Sequence, residues 1–198
     1  MPRTEEQYKE IREKSRNLII QTALKLFGQK GYHGTSIADI AKAAGISKGL
    51  AYNYFNSKSD LIEEVLKQLE VEIAQVFFGI GEITDPYKKL KFFIESTINS
   101  IRDNEEFWSL YFGLSLQKDV LDTSKIILGK VIEQTFGLLE LLFEEIGVDN
   151  PVEEARIFGA ILDGIGIHFI YDKENYPLEE VKEKLIKKYS PEGLSNLS

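Results

Sequence analysis

Apolar residues recur along this chain with a helical period, and no run alternates apolar and polar positions long enough to build a sheet. Ile20, Ala23, Leu24 and Phe27 form the inward stripe of a long first helix expected over residues 6–30. Two short patterns follow a Gly-Tyr-His-Gly turn at 31–34. Ile37, Ile40, Ala41 and Ala44 stand at i, i+3, i+4 and i+7, positions that only a helix gathers on one side. Ser36 precedes them with Asp39 three residues on, a capping-box pair, and Gly45 follows where a left-handed C-cap residue is wanted. Ser47 opens a second short helix. On it Ala51 and Phe55 point one way, Tyr54 lies at the border, and Gly49, Leu50, Tyr52 and Asn53 fill the opposite arc. Two capped short helices joined by a glycine-containing turn are the pattern of a helix-turn-helix.

The remaining patterns are longer. Leu61, Ile62, Val65, Leu66, Leu69 and Ile73 predict a helix from Lys58 to about Phe78. Pro86 opens a helix to about Asp103, and 105–117 reads as a short aromatic helix. A long helix is expected from Asp122 or Thr123 to Gly147. Asp149, Asn150 and Pro151 give a cap-and-start signal for a helix reaching about Tyr171, and 178–189 makes the last one. The expected fold is all-α with about nine helices. A three-helix helix-turn-helix domain is assigned to 1–57, a second helical domain to 58–190, and a frayed tail to 191–198.

Composition narrows the class. Of the 198 residues, 43% are apolar and 28% charged, ordinary for a globular protein. There is no cysteine, which removes disulfide frameworks and thiolate metal sites; neither metal nor cofactor is expected. Residues 1–16 alternate charges of both signs rather than forming a signal peptide, and no apolar run approaches the ~18–20 residues of a membrane span. A cytoplasmic protein with no membrane partner is the expectation. Net charge is −8, but unevenly placed. Residues 1–60 hold 10 basic against 6 acidic side chains, +4, and the rest hold 14 against 26, −12. A basic head on an acidic body suits a nucleic-acid reader joined to a part that avoids DNA.

The second short helix supplies the chemistry. Tyr52 and Asn53 can bond phosphate or base edges, and Leu50 can meet a thymine methyl. Gly49 leaves room for a helix start to approach the backbone. Lys48, Lys58, Thr35, Ser36, Ser47 and Tyr54 are placed to hold phosphates.

Three stretches carry a resemblance: Ala-Leu-Lys-Leu-Phe-Gly-Gln-Lys-Gly-Tyr (23–32), Thr-Ser-Ile-Ala-Asp-Ile-Ala-Lys-Ala-Ala-Gly-Ile-Ser-Lys-Gly (35–49) and Tyr-Asn-Tyr-Phe-Asn-Ser-Lys-Ser-Asp-Leu-Ile (52–62). Residues 17–66 resemble the DNA-binding domain of the TetR family of bacterial transcriptional regulators. Ala51 and Tyr54 depart from it, standing where a larger aliphatic residue and a histidine are common in the family. The resemblance implies a dimer built by the last two helices, within 152–189. Glycine costs a helix interior about 1 kcal/mol relative to alanine, so Gly159, Gly164 and Gly166 ask for a close neighbour. Ala155, Gly159, Leu162, Gly166, Val181 and Leu185 are the interface candidates. Phe93, Trp108, Tyr111, Phe112 and Phe136, with Asp163 and His168 as polar groups, are candidates for lining an effector pocket.

The expected mechanism is a dimeric repressor on palindromic double-stranded operator DNA, released by a small, largely apolar ligand. The alternative is a structural or nucleoid-associated DNA binder controlled by a protein partner. An enzyme is not expected: the two histidines, His33 and His168, lie far apart in sequence, and no phosphate loop, nucleophile elbow or His-Glu-x-x-His motif occurs.

Overall fold

The computed structural model describes residues 4–115 and 117–195. It is all-α among the described residues, and the expected succession of helices is present. In chain order they are α1 (Glu5–Lys30), α2 (Ile37–Ala43), α3 (Lys48–Tyr54), α4 (Lys58–Val76), α5 (Pro86–Asp103), α6 (Glu105–Ser115), α7 (Lys118–Ile146), α8 (Pro151–Tyr171), α9 (Leu178–Lys188) and α10 (Pro191–Leu194). A 3-10 turn, Ile80–Glu82, lies between α4 and α5. None of these helices is long and apolar enough to cross a membrane.

Local signals explain most helix ends. Thr4 caps α1 in a reciprocal box with Gln7. Asp85 accepts from the Lys88 N–H at 2.9 Å and Pro86 occupies the first turn of α5. Gly147, at φ 88°, stops α7 while the Val148 N–H bonds the Phe143 carbonyl. Two ends differ from expectation. α7 begins at Lys118, not at 122 or 123, because the Gln117 carbonyl receives the Val120 N–H and Val120 is buried. The residues after Ser190 start with a helical turn, α10, since the Ser190 hydroxyl accepts from the Gly193 N–H and Pro191 sits at the first position. Tail residues 196–198 lie outside the described residues.

The chain divides into two compact units. One comprises Met1–Leu69 with Leu110–Leu128, the other Glu70–Ser109 with Gly129–Ser198. The first therefore extends past the head assigned at 1–57. Ile19, Ile20, Ala23, Leu24 and Phe27 of α1 are buried here, as are Leu61, Ile62, Val65 and Leu66 of α4. In this unit α6 closes tightly on α1: a methyl group on Gly28 would lie 2.2 Å from a Leu110 terminal carbon.

In the second unit α5 packs against α8 and α9. Its centre is aromatic. Phe158 of α8 lies 5.8 Å from Phe93, 5.7 Å from Phe143 and 4.8 Å from Tyr189, ring centre to ring centre. Such tilted and edge-on pairs each add ~0.5–1.5 kcal/mol beyond burial. The Tyr189 hydroxyl donates to the Glu154 carboxylate at 2.7 Å, and burial together with that bond pushes the phenol well above its usual range.

Gly159 has a neighbour from its own chain. A Cβ there would lie 2.9 Å from the Phe136 ring of α7, whose face carries the Arg156 guanidinium at 3.9 Å. Replacing Gly159 by Leu is therefore expected to overpack the α7–α8 contact and lower stability by about 1–3 kcal/mol. Thermal unfolding of the isolated variant checks it. An unfolding curve at or above that of the unmodified protein would place the glycine's role elsewhere.

Candidate nucleic-acid interface

The helix-turn-helix is built from its caps inward. The Ser36 side chain accepts from the Asp39 N–H at 3.2 Å while the Asp39 carboxylate accepts from the Ser36 N–H at 3.0 Å. The Ser36 hydroxyl, which also donates to this carboxylate, and then the Ser36 N–H hold the Asp39 carboxyl below its ordinary value. α2 ends through Gly45, at φ 69°, and the Ile46 N–H returns to the Ala41 carbonyl at 3.0 Å, a Schellman closure. Ser47 caps α3 by accepting from the Leu50 N–H. Ile37, Ala41 and Ala51 then form a small core closed by Ile46. Ala51 is 1% exposed; its short side chain lets α3 sit close on α2.

That packing fixes which side of α3 meets solvent. Lys48, Gly49, Leu50, Tyr52 and Asn53 are exposed, Leu50 by 37% and Tyr52 by 43%. Tyr54 is half-buried at the border, with the Arg12 guanidinium 6.0 Å from its ring centre. The Lys48 ammonium lies 5.8 Å from the Tyr52 ring. A Cβ on Gly49 would meet nothing within 4 Å, so the chain's own packing does not require a glycine. Ser36 and Ser47, the N-caps of α2 and α3, are exposed as well.

Two residues assigned to phosphate turn inward instead. Thr35 is 1% exposed, and its hydroxyl donates to the Gly31 carbonyl at 2.9 Å with the Leu26 carbonyl 3.2 Å away. It seals the end of α1, where carbonyls lack helical partners. Lys58 donates to the carbonyls of Tyr32 at 2.7 Å and Thr35 at 3.1 Å, and stands 4.3 Å from the Tyr32 ring centre. Its ammonium ties the α1–α2 turn to the start of α4. Behind α3, Arg16 pairs with Glu64 and lies over Phe55. Lys67 and Arg16 hold the Glu64 carboxyl below its usual value.

The candidates for an effector pocket are dispersed. Phe93 belongs to the aromatic core of the second unit. Trp108 is buried and its indole N–H donates to the Ser100 hydroxyl at 3.1 Å. Asp163 and His168 are exposed, His168 stacking on Tyr176. Phe136 packs on Gly159 beneath Arg156. Tyr111 and Phe112, in the first unit, meet edge-on. A half-open cavity of about 380 Å³ lies elsewhere in the second unit, lined in part by Tyr87, Ile146, Val148, Asp149, Glu153 and Ile157; none of the seven candidates lines it.

Of the interface candidates, Ala155, Leu162, Gly166 and Leu185 are buried within the single chain, Val181 is half-buried, and Gly159 faces Phe136. The outward side of α8 carries a different set: Ile157, Ala160, Gly164, Ile167, His168 and Tyr171.

Residues 19–65 match the family described as bacterial regulatory proteins, tetR family. Over 179 residues the chain is 28% identical to the HTH-type transcriptional regulator YxaF of Bacillus subtilis (strain 168), covering 86% of this chain and 93% of that one. Two solved structures share the fold. NalD of Pseudomonas aeruginosa, described as the secondary repressor of the MexAB-OprM multidrug efflux pump, aligns with a TM-score of 0.72 at 23% identity over 90% of this chain and 94% of that one. A regulator from Saccharomonospora viridis in complex with choline aligns with a TM-score of 0.71 at 20% identity, covering 89% and 95%. The capped helix-turn-helix, the match over the head and the relative similar along nearly its whole length converge on a TetR-family regulator: residues 19–65 are a helix-turn-helix domain of the tetR family.

Proposed function

We propose that this regulator is a cytoplasmic, dimeric repressor that reads a palindromic double-stranded operator through the outward arc of α3 and leaves it when a small, largely apolar effector binds. The observation that carries this reading is the exposure of Gly49, Leu50, Tyr52 and Asn53 together on a helix anchored by Ala51. Asn53 suits an adenine edge and Leu50 a thymine methyl. Lys48, Ser36, Ser47 and Tyr54 border that arc and suit phosphates. Thr35 and Lys58 act one step back, by holding the turn before α2. Residues 1–57 form the DNA-binding domain in this reading, and 58–190 the domain for effector and partner subunit.

A dimer is favoured by a stripe on α8 that the single chain leaves open. Ile157, Ile167 and Tyr171 are exposed by 51%, 46% and 89%. Ala160 and Gly164 lie between them, and a Cβ on Gly164 would meet nothing within 4 Å. A second copy packed here would cover the apolar side chains and come close at the two small residues. Two heads would then meet half-sites ~34–36 Å apart, one helical turn of DNA. The effector is favoured by the aromatic content of α5–α8 and by the choline-bound neighbour. It must bind the released form more tightly than the operator-bound form, and DNA must weaken the effector by the same factor.

The direct test is selection of genomic fragments by the purified protein, followed by measurement of operator affinity against salt. A repressor of this design recovers a palindromic fragment whose affinity falls steeply with salt. Recovery of no fragment above background would reject the reading.

Two variants then separate fold from function. Gly49→Ala is expected to raise thermal stability, by up to about 1 kcal/mol from helix propensity, yet to weaken operator binding, because the added methyl stands where the DNA backbone would approach. Equal operator affinity in the variant would remove Gly49 from the interface. Gly164→Leu is expected to leave each subunit folded while shifting sedimentation toward monomer and lowering operator affinity in step. A variant that stays dimeric at low concentration would move the interface off this face of α8.

A further inference from the structure

Gln117, at the corner between α6 and α7, makes three hydrogen bonds through one side chain, each to the backbone of a different segment. Its carbonyl oxygen accepts from the Tyr32 N–H at 2.8 Å. Its amide nitrogen donates to the Phe27 carbonyl at 3.3 Å and to the Gly113 carbonyl at 3.1 Å. Phe27 lies in the last turns of α1, Tyr32 in the turn leading to α2, and Gly113 in α6. A carboxamide both donates and accepts, so this one residue fastens an N–H and two carbonyls that face it from different directions.

A glycine lets α6 close on α1 beside these bonds: a Cβ on Gly28 would collide with Leu110 of α6. Gly31, at φ 78°, takes the left-handed turn that follows α1, with room for a Cβ at an ordinary 3.5 Å from the Gln117 side-chain oxygen. On its other side the same turn is held by Lys58, through the carbonyls of Tyr32 and Thr35. The segment that seats α2 and α3 is thus gripped between the start of α4 and the α6–α7 corner, all within one compact unit.

We propose that Gln117 is a positioning residue for operator binding: its carboxamide latches the α6–α7 corner to the turn that sets how the helix-turn-helix is presented. Hydrogen bonds fail beyond about 3.5 Å, so a displacement of the corner by about 1 Å releases the turn. α6 and α7 both continue from this corner into the second unit. The inference rests on the proposed role of α3 as the operator-reading helix.

The test uses the full-length protein with Gln117→Ala, which deletes all three bonds, and Gln117→Glu, which keeps an acceptor for Tyr32 but turns a negative charge toward two carbonyls. Three hydrogen bonds of ordinary net strength predict operator affinity weakened about tenfold or more in both variants. Affinity for non-specific DNA at low salt and helical content by circular dichroism should be unaltered. In DNA-free protein, the Tyr32 amide should exchange at least about tenfold faster in Gln117→Ala, while the Ala44 and Phe55 amides, bonded inside the helix-turn-helix, keep their protection. Wild-type exchange at Tyr32 in Gln117→Ala would overturn the latch, as would operator affinity equal to wild type. Parallel loss of specific binding, non-specific binding and protection everywhere would also overturn it, since that marks a residue needed only for stability. Failure of the wild-type protein to select any fragment would instead reject the operator reading, and the exchange measurement would still decide the latch.

Discussion

A helix that ends inside a folded unit leaves carbonyls that need donors, and the end of α1 shows how much follows from meeting that need. Leu26, Phe27, Gly31, Tyr32 and Thr35 all present carbonyl oxygens around one turn, and three side chains answer them: Thr35 itself, Lys58 from the first position of α4 and Gln117 from the α6–α7 corner. An unmet buried carbonyl costs about 1–3 kcal/mol, so these partners are constraints on the fold. They tie α1, α4 and α6 to the segment from which α2 departs, and α3 is placed by α2. The orientation of the exposed arc on α3 therefore depends on backbone groups some distance from it.

The short helices were legible because their signals are local. Ser36 with Asp39, Gly45 and Ser47 occupy fixed offsets, and each makes the bond its position implies. The division of α3 into an inner Ala51 and an outer arc follows from helical geometry once the caps set its start. Proline and glycine served equally well at the α7–α8 junction, where Gly147 and Pro151 leave little choice of boundary. What α7 does before residue 122 was not legible, because its first turn depends on the Gln117 carbonyl and on burial of Val120 rather than on a capping residue.

The inward residues were missed for a related reason. A lysine or threonine near a DNA-reading helix suits phosphate by type alone, and sequence carries no direction for a long flexible side chain. One hint was available. Lys58 opens α4, where the helix dipole disfavours a cation, so a partner other than the helix itself had to hold it; the carbonyls of Tyr32 and Thr35 are that partner. Gln117 offered no hint, since its three partners are backbone atoms 4 to 90 residues away in sequence.

α8 shows the limit of reading small residues as interface markers. Gly159, Gly164 and Gly166 look alike in the sequence, yet they stand in three different surroundings. Gly159 makes room for Phe136 of the same chain, Gly166 is buried, and Gly164 looks into open space. A close neighbour accounts for the first within the subunit, and burial leaves the second no free surface to offer a partner. Only at Gly164 does the single chain give no reason for a residue that weakens a helix by about 1 kcal/mol. In the proposed dimer the reason lies outside the subunit, and Ile157, Ile167 and Tyr171 on the same side are the apolar surface that a second copy would cover. Small residues thus point to assembly only where the chain's own packing has first been ruled out.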